Sequence, residues 1–295
     1  MNPQVAGMTL HRLATRLPPL SWLSPRWGGV GYGLHVLSLI SPAKSLDLSS
    51  PVPDRDYSTP RLLDESRQLI ELMRTKSLSE IAGLMHLSDD LAALNLQRYH
   101  DFETPFTLAN ARPALLMFAG DVYQGMAVRS RFSEDDFSEA GRTLRILSGL
   151  YGVLRPLDLI AAYRLEMGVR LATDRGRNLY EWWGDRVTTV VADDLADSPG
   201  ERVLVNLASH EYVTVVDLEA LDATVVSPRF EDQGPQGDWK VISFSAKRAR
   251  GEMAAWLVRR RVRTAAELTG FNAAGYRYVA RISTPEVPVF RRKRR

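Results

Sequence analysis

Apolar positions recur along the chain in short unbroken runs and in helical stripes, and the two alternate from one end to the other. The run 35–40 (HVLSLI) predicts a short buried strand, stopped at Ser41-Pro42 because proline offers no backbone donor. Thr59 as N-cap and Pro60 at the first helical position predict a helix with Leu62, Leu63, Ser66, Leu69, Ile70 and Met73 on its inner face. Residues 79–85 and 88–99 predict two short helices, the second capped by Ser88, joined through Met85-His86-Leu87. The run 114–118 (ALLMF) predicts a strand that ends in Ala119-Gly120-Asp121. Ser133 caps a helix to 144, with Glu134, Asp135 and Asp136 in its first turn, where acids complement the helix dipole. Residues 178–195 predict one helix, and 203–207, 223–226 and 240–244 predict strands. A strongly basic helix over 245–263 carries Met253, Trp256, Leu257 and Val258 as its apolar stripe. A short helix from Thr264 to Leu268 and a strand over 276–282 follow. Strands and helices mingle without repeat or linker. The expectation is an α/β (mixed α+β) fold, one domain over 34–290 built on a central mixed sheet. Residues 1–33 hold three arginines and no acid, and read as a disordered extension or a misplaced start. The five cations of 291–295 read as a mobile basic tail.

Hydrophobic content of 45% and charged content of 25% allow a sizeable core. The absence of cysteine excludes disulfides, thiolate metal sites and cysteine nucleophiles, and fits a reducing cytoplasm. No apolar run approaches the ~20 residues that span a bilayer, so no membrane partner is expected. The net charge of +3 is unevenly distributed. Residues 239–295 hold 15 Lys and Arg against 3 Asp and Glu, leaving 23 against 32 in the rest. That asymmetry fits a polyanion such as nucleic acid, and fits a solvated basic helix equally well.

No dinucleotide fingerprint, P-loop, nucleophile elbow or HExxH is present, and the five histidines lack ligand spacing, so no cofactor and no metal are expected. Polar clusters do stand where predicted strands end, the place where α/β sheets form ligand sites. These are Ser41-Pro42-Ala43-Lys44, Gly120-Asp121-Val122-Tyr123, Asn206 to Tyr212, and 243–250. Converged on one cleft, Lys44, Arg155, Lys247, Arg248 and Arg250 would make it cationic, with Arg259, Arg260, Arg261 and Arg263 continuing the basic face. Tyr123, Tyr151, Tyr163 and Tyr212 are candidates to stack on bases, with Asn206 and Ser209 beside them. The polar segment 147–168 supplies Tyr151, Arg155, Tyr163, Arg164 and Glu166 as a further wall. Lys44, Asp121 and Glu166 are the candidate catalytic groups of an enzyme acting on a nucleotide, nucleoside or damaged base. The same carboxylates are equally suited to bridging Arg155 and Arg164.

SPAKSLD, FAGDVYQG, LSGLYGVLRPLDLIAAYRLEMG, NLASHEY, and SFSAKRARG followed by ELTGFNAAGY occur in this order across 35–278. On these motifs the chain resembles the YaaA family of bacterial peroxide-stress proteins. The resemblance implies a cytosolic response to hydrogen peroxide that limits free iron and Fenton damage to DNA and protein. It also implies a helix-hairpin-helix element, best matched by 79–100, and a positively charged cleft that binds duplex DNA largely without regard to sequence. The match at 79–100 lacks the glycine-rich turn through which such elements meet phosphate. A nucleotide or phosphate ligand in the cleft is the accompanying expectation.

Overall fold

Val36–Ile40 (β1) is buried along its whole length, as befits a continuous apolar run covered on both faces of a parallel sheet. The computed structural model describes residues 36–197 and 201–293. His35, the extension at 1–33 and Arg294-Arg295 lie outside the described residues. After β1 come helices Leu63–Arg74 (α1), Leu78–Met85 (α2) and Asp89–His100 (α3). Strand Arg112–Pro113 (β2) leads to the short helices Ala114–Met117 (α4), Asp121–Met126 (α5) and Val128–Arg131 (α6), and then Glu134–Thr143 (α7). Strands Leu144–Ser148 (β3), Gly152–Leu154 (β4) and Leu159–Ile160 (β5) precede helices Leu179–Trp183 (α8) and Arg186–Ala196 (α9). The chain continues through Val203–Leu207 (β6), His210–Val213 (α10), Thr224–Val226 (β7), Arg229–Gln233 (β8) and Trp239–Lys240 (β9). It closes with Ser243–Arg260 (α11), Arg277–Tyr278 (β10) and Val289–Arg292 (β11).

Among the described residues the main sheet runs β4-β3-β1-β6-β7. β1 pairs in parallel with β3 and β6, β6 with β7, and only β4 runs antiparallel. This is the mixed central sheet of an α/β fold. β8 to β11 form a second sheet, and β2 pairs with β5. The helix α11 packs on α5 and α7 and reaches both sheets through β1, β6 and β8. Arg145 on β3 is 4% exposed and forks onto Asp194 of α9 at 2.6 and 2.9 Å. Arg61 meets the same carboxylate at 2.7 Å, so a buried charge is fully paired.

Several expectations need correction. The helix α1 starts at Leu63 with Leu62 as its N-cap, not at Thr59-Pro60. Of 276–282 only Arg277–Tyr278 is strand, with a 3-10 turn at Ala280–Ile282. The run 114–118 is a helical turn, α4, because Ala114 and Leu115 donate their N–H groups to the carbonyls of Asp158 and Pro156 rather than to a sheet. An apolar run of that length does not separate the two outcomes. The helix over 178–195 breaks at Gly184, which takes a positive φ of 53°. Residues 243 and 244 open α11 instead of closing a strand. Finally, Arg291 and Arg292 belong to β11. They pair with Glu231 at 2.8 Å and Asp232 at 2.6 Å, acids buried on β8, so these two cations are structural and not part of a mobile tail.

Candidate functional site

Pro42 stops β1, and the released Ser41 ties its end to that of β6. The Ser209 N–H donates to Ser41 Oγ at 2.8 Å, and Tyr123 donates its hydroxyl to the Ser41 carbonyl at 3.0 Å. Gly120 brings the start of α5 against the same loop, since a Cβ there would stand 2.9 Å from the Ala43 Cβ. α11 then lies backbone to backbone on α5. A Cβ on Gly125 would stand 2.1 Å from the Arg248 carbonyl oxygen. These contacts enclose a cavity of about 300 Å3 at the carboxyl ends of β1 and β6. Lys44, Asp121, Tyr123, Glu166, Ser209, Tyr212, Lys247 and Arg250 all line it.

The remaining wall comes from residues 163–166. It is held from behind. A Cβ on Gly149 would stand 2.3 Å from the Leu165 carbonyl, and the Gly149 carbonyl accepts from the Trp183 indole at 3.0 Å. Tyr163 meets Ser148 Oγ at 2.7 Å and packs edge-on against Tyr151, with ring centres 5.2 Å apart. Burial pushes the Tyr163, Tyr151, Tyr123 and Tyr212 hydroxyls up in pKa, so these phenols stay protonated.

Four cations and three carboxylates line the cavity, so it is mixed in charge rather than uniformly basic. Glu166 holds two of the cations, Lys44 at 2.9 Å and Arg164 at 3.1 Å. Glu211 accepts from the Gly168 N–H at 3.1 Å. Lys247 and Arg250, one helical turn apart on α11, have no ion pair among the described residues. Burial alone lowers the pKa of Arg250, which marks a guanidinium partly withdrawn from water without a compensating partner. Asp121 likewise has no ion-pair or hydrogen-bond partner among the described residues.

Other residues expected in the cleft lie elsewhere. Tyr151 is 0% exposed and accepts the Ala161 N–H at 3.0 Å, so it braces the wall. Arg155 serves the buried Asp158 at 3.0 Å and the Thr59 carbonyl at 2.9 Å. Asn206 shapes the turn after β6 by accepting the Ala208 N–H at 3.0 Å. Arg248 is exposed beside the cavity without lining it. Arg261 and Arg263 are bound to Asp136 at 2.7 Å and Glu139 at 2.6 Å on α7. Arg259 and Arg260 are exposed, but a helical rise places Arg259 about 13 Å along the axis from Arg250. Arg164, expected in the further wall, does line the cavity, and Glu211 lines it without having been expected in a role of its own. Its membership in the NLASHEY motif was the available signal.

A neighbouring hollow is bordered by the end of α2, by His86 in its left-handed turn, and by residues 168–170. It shares Glu166 and Glu211 with the cavity.

An α/β protein with a small mixed-charge cavity at parallel strand ends is what this geometry defines. The chain matches the family model described as peroxide stress protein YaaA over residues 36–282, and it belongs to that family. It is 47% identical over 258 residues to a UPF0246 protein of Cellvibrio japonicus, covering 88% of this chain and 99% of the relative. UPF0246 proteins of Alcanivorax borkumensis (48% over 257 residues, 87% and 98% covered) and Chromobacterium violaceum (50% over 259 residues, 88% and 100% covered) are similarly related.

Proposed function

We propose that this protein acts in the peroxide-stress response by binding DNA across the face that carries the cavity, with a nucleotide phosphate held by Lys247 and Arg250. The observation that carries the reading is that these two cations line the cavity without a counter-ion among the described residues. A partly desolvated guanidinium gains most from the charged oxygens of a phosphate. Exposed Arg248, Arg259 and Arg260 add attraction that is independent of sequence. The helical pair α2 and α3 supports the reading less, because its link His86-Leu87-Ser88 lacks glycine. Among the described residues no helix is long and apolar enough to cross a membrane. We place the protein in the cytoplasm, where it would limit free iron and Fenton damage.

The test is binding to a labelled duplex across a salt series, for the wild type and for Lys247→Glu with Arg250→Glu. The wild type should weaken linearly in log affinity against log salt, and the double variant should lose most of its affinity. A double variant that binds like the wild type at every salt concentration sinks the reading. Iron measured by electron paramagnetic resonance after peroxide, in cells with and without the chain, tests the cellular role.

A second reading, an enzyme acting on a nucleotide, nucleoside or damaged base, is favoured by the free carboxylate of Asp121 inside the enclosure. A product released from duplex carrying a damaged base, and lost in Asp121→Ala, would establish it.

A further inference from the structure

Among the described residues, three charged groups of the cavity have neither an ion pair nor a hydrogen bond: Lys247, Arg250 and Asp121. The first two stand on α11 and the third begins α5. Those helices touch backbone to backbone at Gly125 and Gly251, so the three charges keep a fixed relation. Yet the carboxylate does not neutralise either cation.

A simple anion is a poor occupant of such a place. It would satisfy Lys247 and Arg250 while sharing the cavity with the negative Asp121. The complementary ligand carries an anion at one end and N–H donors at the other. Val122, Leu165 and Leu207 also line the cavity and supply apolar surface for the body between them.

We propose that the cavity selects a nucleotide by the donor edge of its base, with Asp121 as the reader and guanine as the preferred base. This rests on the second reading above, a free or unpaired nucleotide in the cavity, because in a duplex the donor edge of guanine is already paired. A carboxylate has two oxygens that accept two parallel N–H bonds at once. Guanine presents two adjacent donors, N1–H and the 2-amino group. Hypoxanthine keeps only the first of them. The single N–H of uracil is flanked by carbonyl oxygens that a carboxylate repels.

The experiment is calorimetric titration of the full chain with GMP, IMP, AMP and UMP at one ionic strength. In the wild type GMP should bind on the order of 10–100-fold more tightly than UMP, with IMP between them. Asp121→Asn should bring GMP to the level of UMP without weakening UMP. Arg250→Ala should weaken all four together. Asp121 has no ion pair or hydrogen bond to lose among the described residues, only its place in the first turn of α5. Its variants should therefore melt within a few degrees (~2–4 °C) of the wild type, and Asp121→Ser provides the same comparison by a second substitution. Equal binding of all four by the wild type overturns the proposal and leaves the nucleotide reading standing. Equal loss of all four in both Asp121 variants also overturns it and makes Asp121 a brace. If none of the four binds the wild type, the cavity is not a nucleotide site and this proposal falls, whereas duplex binding across the face is decided by its own salt series.

Discussion

Gly251 of α11 lies against the carbonyl of Val122 so closely that a Cβ would stand 1.8 Å from that oxygen. The contact sets where Lys247 and Arg250 stand relative to Asp121. Gly251→Ala forces the helices apart and should cost about 1–3 kcal/mol in urea unfolding. The surviving folded protein should also bind duplex more weakly, because two cations have shifted. Wild-type stability in Gly251→Ala would rule out the close approach.

Glu166 restrains two cations, but Lys44 is 63% exposed at its side chain, and such a pair contributes only about 0–1 kcal/mol. Glu166→Gln should therefore leave the melting temperature nearly unchanged. It should strengthen duplex binding at low salt and steepen the salt dependence by about one to two ions, as Lys44 and Arg164 become free for phosphate. A fall in affinity instead would mean that Glu166 touches the ligand itself.

The basic end of α11 divides into two kinds of arginine. Arg263 compensates Glu139, whose side chain is 1% exposed, with Arg142 as a second partner at 2.9 Å. Arg263→Ala should destabilise the fold by about 3 kcal/mol, reduced to the extent that Arg142 compensates. Arg259→Ala with Arg260→Ala should leave thermal unfolding unchanged and reduce duplex affinity only through lost charge. Chemical denaturation and binding measured on the same samples separate the two.

Asp47 is held down to about 2 by hydrogen bonding from Ser50, helped by Ser49 and the nearby Arg129. Its folded value lies below its unfolded value of about 3.9. Its contribution is therefore complete above about pH 4 and is lost as pH falls towards 2. Asp47→Asn should cost up to about 2 kcal/mol at neutral pH, only a few tenths (~0.4 kcal/mol) near pH 2, and nothing below about pH 1. Parallel stability curves for the two proteins across that range would exclude the linkage.

The ends of β1 and β6 were legible because Pro42 and Ser209 punctuate apolar runs, and Gly120 marked a third junction although the run before it is helical. Their meeting in one cavity depends on strand order, with β1 between β3 and β6, and that is a long-range matter no local pattern encodes. β8 escaped notice because Glu231 and Asp232 interrupt its apolar pattern, although both are buried by arginines some sixty residues later. Tyr151 and Tyr163 look alike in sequence, yet only Tyr163 reaches the cavity. Arg261 and Arg263 likewise cannot be told from Arg259 and Arg260 until α7 is seen beside them.

Glu166 and Glu211 form the partition between the cavity and the hollow beside His86. Whatever draws Lys44 away from Glu166 on one side leaves a more negative partition facing the other. A cationic group in the hollow and an anion in the cavity would then favour one another, each raising the affinity of the other by the same factor. Two neighbouring compartments would in this way share a single electrostatic hinge point, a carboxylate that belongs to both.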